Sequence, residues 1–149
     1  MKVNMGDECS RIDIYRRTTY HMVKCGFQAR QKGYRYLREA VWIAWCEPDV
    51  LTSVTKRLYP EVAKRFDTTD KQVERAIRNA IETAWTNGEP EALKGIFQET
   101  DGDRIIRPTN TKVIEMLLVC VRTDMKMEWE ENVIEGGYQD FKHHCALLQ

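Results

Sequence analysis

Residues Val73, Ala76, Ile77, Ala80, Ile81, Ala84 and Trp85 recur at spacings of three and four, which only a helix with one buried face satisfies. A strand would send alternate members of this set to opposite sides of a sheet. Thr69, followed three residues later by Gln72, has the form of a capping box that starts the helix, and Asn87-Gly88 ends it. The same period governs most of the chain. Ser10 is expected to cap a helix from Arg11 to about Lys24 that stops at Gly26, with Ile14, Thr18, Met22 and Val23 turned inward. A second helix is expected over Lys32 to Glu47, ended by Pro48. Its later half, Ala40 to Cys46, is apolar on all sides and reads as the central core helix.

Shorter helical stretches are expected over Val50 to Leu58, Pro60 to Phe66 and Pro90 to Phe97. Residues 98–107 read as a loop or a short hairpin-like excursion turning at Asp101-Gly102-Asp103. A last helix runs from Thr111 to at least Arg122, with Val113, Ile114, Leu117, Leu118 and Val121 inward. After Thr123 the pattern degrades: Met125, Met127 and Trp129 allow the helix to continue, Gly136-Gly137 breaks it, and residues 133–149 predict no regular element. The expected organisation is therefore a lead over 1–10, one all-α domain over 11–122, and an acidic C-terminal extension over 123–149.

Composition narrows the function classes. The 149 residues carry 23 Lys+Arg against 23 Asp+Glu, and a net charge of zero argues at first against nucleic acid. The balance is a cancellation between halves. Residues 11–78 hold 15 Lys/Arg and 8 Asp/Glu, whereas residues 79–149 hold 7 and 13, an asymmetry that points toward nucleic acid or a self-screening acidic tail. No apolar run approaches the ~18 residues of a membrane span, and no secretory signal pattern opens the chain. A soluble cytoplasmic domain is expected. The five cysteines, Cys9, Cys25, Cys46, Cys120 and Cys145, are odd in number and form no C-x-x-C pair, which suits neither a disulfide framework nor a zinc site. Cys46 and Cys120 stand in apolar stretches and are expected in the core.

The segment Tyr59 to Ile77 meets the physical requirements of a helix-turn-helix. Val62 and Phe66 face the second helix, Ala63 allows close approach, the turn falls at Asp67-Thr68-Thr69, and Val73, Ala76 and Ile77 pack back. On the outward face of the second helix, Lys71, Arg75, Arg78 and Glu82 form the central stripe. Gln72 and Asn79 flank it on one side and Glu74 on the other. These side chains read base edges: Arg and Lys at guanine, Gln and Asn at adenine, Glu at cytosine. Lys56, Arg57, Lys64 and Arg65 stand where phosphate contacts are expected. The competing description of this face is a solvated helix surface with i,i+4 ion pairs, Glu74–Arg78 and Arg78–Glu82.

The stretches Lys32-Gly33-Tyr34-Arg35-Tyr36-Leu37-Arg38-Glu39-Ala40, Ser53 to Pro60, Val73 to Glu82, Ala84-Trp85 and Arg107-Pro108-Thr109-Asn110 together resemble the C-terminal effector domain of the stage 0 sporulation protein A family. The resemblance covers roughly residues 11–122, in order and with few gaps. It implies a compact six-helix domain whose helix-turn-helix binds promoter DNA as double strands, transcription control in spore-forming bacteria, contacts to RNA polymerase sigma subunits, and paired domains on tandem sites. It also implies that Glu74 and Arg75 read bases and that Arg78 follows them toward DNA. Gln72 replaces the family's arginine, Asn79 a common histidine, and Lys71 a small polar residue, so an altered preference is expected at one base pair. The expected DNA-contact set is Lys71, Gln72, Glu74, Arg75, Arg78, Asn79, Lys64, Arg57, Thr68 and Thr69. Family members carry a phosphoacceptor receiver domain ahead of this segment; here about ten residues precede it, and switching by aspartyl phosphorylation on the same chain is not expected. A protein-interaction module that pairs with another regulator or a sigma factor, without reading DNA, is the alternative.

Other chemistry finds little support. His143-His144-Cys145 are adjacent residues that rarely converge on one ion. His21 and Cys25 share one helix but sit in apolar surroundings with no third group to orient them, so core packing is the expected role. Asp101-Gly102-Asp103 lacks the later ligands of a calcium loop, and no Gly-rich phosphate loop occurs. No enzyme activity, cofactor or metal is expected.

Overall fold

The computed structural model describes residues 5–97, 100–101 and 104–136, with side chains described over 10–97 and 106–128. Six α-helices carry the described residues: α1 Met5–Lys24, α2 Lys32–Cys46, α3 Tyr59–Arg65, α4 Asp70–Asn87, α5 Pro90–Ile96 and α6 Asn110–Gly136. A 3₁₀ turn, Pro48–Thr52, and a π-helical turn, Val54–Leu58, lead from α2 directly into α3. The fold class is all-α, as the periodicity implies. Among the described residues the exception is a two-residue antiparallel ladder, β1 Thr100–Asp101 with β2 Arg104–Ile105, Thr100 facing Ile105. The expected turn at Gly102 and Asp103 lies outside the described residues.

The core follows the predicted stripes. Val73, Ile77, Ala80, Ile81 and Ala84 of α4 are buried, as are Val113, Ile114, Leu117, Leu118 and Val121 of α6. They meet Leu37, Ala40, Val41 and Ala44 of α2, which is the central helix. Ile14, Thr18 and Met22 close the core from α1, and the Thr18 hydroxyl satisfies itself by donating to the Ile14 carbonyl at 2.7 Å. Several expectations are corrected. Val23 is 60% exposed, because its position falls past the edge of the α1 stripe. Ser10 does not cap α1, which already runs from Met5. Cys46 is exposed and Cys120 only half-buried: at the last residue of α2 the chain leaves the core before Pro48, and Cys120 lies off the inward stripe of α6. α6 continues past Thr123 to Gly136, as Met125, Met127 and Trp129 allow, and so enters the 133–149 stretch for which no regular element was expected.

Two glycines let helices approach. A Cβ on Gly33 would lie 2.1 Å from the Ala76 carbonyl oxygen, so α2 and α4 meet backbone to backbone. The close-approach residue of this domain is thus on α2, in addition to Ala63 on α3. Gly26 takes φ +89, and a Cβ there would sit 2.7 Å from the Gly88 Cα, which pins the α1–α2 turn to the end of α4. Glu39, 3% exposed on α2, is balanced by two guanidiniums: Arg11 of α1 at 3.0 Å and Arg65 of α3. A buried carboxylate is strongly destabilising when left without a cation, and the two guanidiniums that prevent this tie α1 and α3 to α2.

Candidate nucleic-acid interface

α3 and α4 form the helix-turn-helix. Pro60 stands in the first turn of α3, where its missing N–H costs nothing. At the other end Asp67 adopts φ 51, and the Thr68 amide bonds back to the Ala63 carbonyl at 2.9 Å. This is a Schellman ending with aspartate in the place glycine usually takes, which a short polar side chain tolerates. Thr69 then caps α4, its Oγ1 accepting from the Gln72 amide at 3.3 Å. The capping box is half built: the Gln72 side-chain oxygen accepts from the Thr68 hydroxyl instead of returning to the Thr69 amide. Gln72 is exposed but braced across the turn.

Along the outward face of α4, Lys71, Gln72, Arg75, Arg78, Asn79 and Glu82 are all exposed, and Glu74 is half-buried at the edge. They differ in their ion pairing. Arg78 lies 3.2 Å from Glu74, so one of the two ion pairs of a bland solvated face is present. The other is not: Glu82 pairs with Arg107 from the segment before α6. Exposed pairs of this kind are worth about 0–1 kcal/mol and exchange readily. Among the described residues Lys71 and Arg75, at the centre of the stripe, make no ion pair, and neither does the exposed Lys64 of α3.

The remaining expected phosphate contacts are less available. Arg57 is held between Asp49 at 3.0 Å and Glu47 at 3.4 Å. Arg65 is committed to the buried Glu39 and to Glu61. Lys56 is exposed on the π-helical turn. The structure therefore brings Lys64, Lys71, Gln72, Glu74, Arg75, Arg78, Asn79, Thr68 and Thr69 onto the two helices and their turn, while Arg57 is turned to a separate acidic pair.

A positioning residue escaped the sequence reading. Asn110, the first residue of α6, donates from its Nδ2 to the Tyr59 phenol oxygen at 3.1 Å and to the Glu74 carbonyl at 3.1 Å. One amide thus ties α3 to α4 at the residue before Arg75. Burial pushes the Tyr59 phenol upward, opposed by the Asn110 hydrogen bond, so it stays a neutral acceptor. In sequence, an asparagine opening a helix reads as a local cap, and its tertiary role has no period to reveal it.

The surroundings of His21 differ from the apolar setting expected for it, and those of Cys25 agree with core packing. His21 is not in an apolar setting: its Nε2 lies 2.6 Å from Asp124 on α6. Cys25 is buried and its thiol is pushed up to about 12 by desolvation, the opposite of an activated nucleophile. Among the described residues no cluster of three His, Cys, Asp or Glu could hold a metal ion, and no helix is long and apolar enough to cross a membrane. His143, His144 and Cys145 lie outside the described residues. A family model described as sporulation initiation factor Spo0A C terminal matches residues 18–121, a span that includes both helices, their turn and Asn110.

Proposed function

Because the chain belongs to the family of the sporulation initiation factor Spo0A C-terminal domain, a DNA-binding domain of transcription regulation, we propose that it reads a specific double-stranded promoter sequence through the first turns of α4. The observation that carries this reading is the state of Arg75. It stands exposed at the centre of the stripe, with no carboxylate partner among the described residues, on a helix braced by the turn and by Asn110. A guanidinium so placed offers a bidentate contact to guanine. Glu74 reads a neighbouring base once Arg78 swings away from it. Gln72 and Asn79 set the preference on the other edge, where glutamine selects adenine and an arginine would select guanine. Lys64 and Lys71 hold phosphates, Thr68 and Thr69 line the approach to them, and Arg57 joins only by exchanging its two carboxylates. The promoters are those of sporulation or stationary phase, the domain acts in the cytoplasm, two copies occupy tandem boxes, and a sigma subunit of RNA polymerase is the partner in activation.

Fluorescence anisotropy with a promoter-box duplex and a scrambled duplex tests this. Arg75→Ala should weaken the promoter-box complex by ~1–3 kcal/mol and leave the scrambled one nearly unchanged. Equal affinity of the native chain for both duplexes would refute sequence reading.

A further inference from the structure

We propose that the cleft between α4 and the start of α6 seats one phosphate of the DNA backbone, with Arg107 as its cation. This rests on the DNA-reading role above and adds a contact to it. The cleft measures about 410 Å³, and Thr55, Arg78, Arg107, Thr109, Asn110 and Thr111 are among its lining residues. It opens on the Glu74–Arg78 edge of α4, one turn from Arg75. A helix lying in the major groove has a phosphate strand along each side, and this cleft occupies one of those sides.

The choice of Arg107 follows from what holds each arginine around the motif. Arg65 neutralises a buried carboxylate, and Arg57 is shared between two. Arg107 is held by one carboxylate, Glu82, with both side chains about half exposed at 48% and 51%. Water screens that pair, so Arg107 can leave it for a phosphate that offers a bidentate, more highly charged acceptor. Hydroxyl donors complete the seat. Thr109 Oγ1 accepts from the Lys112 amide at 3.2 Å, which leaves its O–H to donate, and Thr55 and Thr111 line the same space. The Asn110 amide is already spent on Tyr59 and Glu74. It shapes the cleft without entering the contact.

The test is the salt dependence of binding by the full chain to the promoter-box and scrambled duplexes. A phosphate contact contributes equally to both and adds about one to the slope of log K against log salt. Arg107→Ala should weaken both duplexes by the same factor and reduce the slope by about one, while Arg107→Lys retains most of the slope. The thermal midpoint of Arg107→Ala should stay at the native value, since the lost ion pair is exposed. An unchanged slope in Arg107→Ala, or a loss confined to the promoter box, overturns the proposal. If the native chain discriminates between the duplexes but the slope does not respond to Arg107, this inference fails alone. If the chain binds neither duplex, it falls together with the DNA-reading role.

Discussion

Cys25 directly follows α1 and Cys46 is the last residue of α2, both in apolar sequence, yet they meet opposite surroundings. Cys25 is fully buried between the end of α1 and the core, and desolvation raises its thiol to about 12 from the ordinary 9.0. Cys46 is exposed. Iodoacetamide at pH 8 should therefore leave Cys25 unmodified in the native state and alkylate it once the chain unfolds, with Cys46 reacting natively; peptide mass mapping reads the difference, and native modification of Cys25 would contradict its burial. The same shift has a sign for stability. Below pH 9 both states keep the thiol protonated and the full contribution is present. As pH rises from 9 toward 12 the unfolded chain loses the proton first, so stability falls. The burial of Cys25 was legible in its apolar surroundings, whereas the exposure of Cys46 was not, because it too reads as a small core residue. Periodicity places a residue on a helix face; it does not say where the neighbouring helix stops covering that face.

At the scale of elements, the α2–α4 contact sets how α4 is presented. Gly33 has the Ala76 carbonyl where a Cβ would be, at 2.1 Å, whereas Gly95 in α5 has nothing within 4 Å of its Cβ position. Gly33→Ala should destabilise the domain by ~1–3 kcal/mol through overpacking. Gly95→Ala should hold or slightly raise stability, because alanine is the better helix former. Denaturant unfolding monitored by circular dichroism measures both, and equal effects would mean that the helices can separate without cost. The helices themselves were readable: the apolar stripes of α4 and α6 were inward almost residue for residue, and Thr69 caps α4 as its spacing with Gln72 implied. Less readable was the connection from α2 to α3, where a 3₁₀ turn and a π-helical turn replace the single stretch expected over Val50 to Leu58. Hydrogen-bond period is decided by how the flanking helices fix the two ends, and local propensity barely separates the alternatives.

Across the whole molecule, the acidic second half raises the question of a brake on DNA binding. Asp124 and Glu128, the described acidic side chains beyond residue 122, face α1, where they pair with His21 and Arg17. At ~1.5 Å per helical residue, they lie roughly 20–27 Å along α6 from Asn110, which touches α4. Their charge is therefore spent on α1 and not over the exposed stripe of α4. Truncation after Arg122 should lower the thermal midpoint, because α1 loses both partners, and change DNA affinity by no more than about twofold; a large gain in affinity would instead favour a self-screening tail. The sequence by itself determined the helical class, the inward stripes and the composition of the exposed face of α4, because these depend on residue type and on a local period. Tertiary structure decided which cations remain available to DNA. Whether Arg57, Arg65, Arg78 or Arg107 meets a carboxylate depends on side chains brought together from distant parts of the chain, and only the packed fold makes those pairs neighbours.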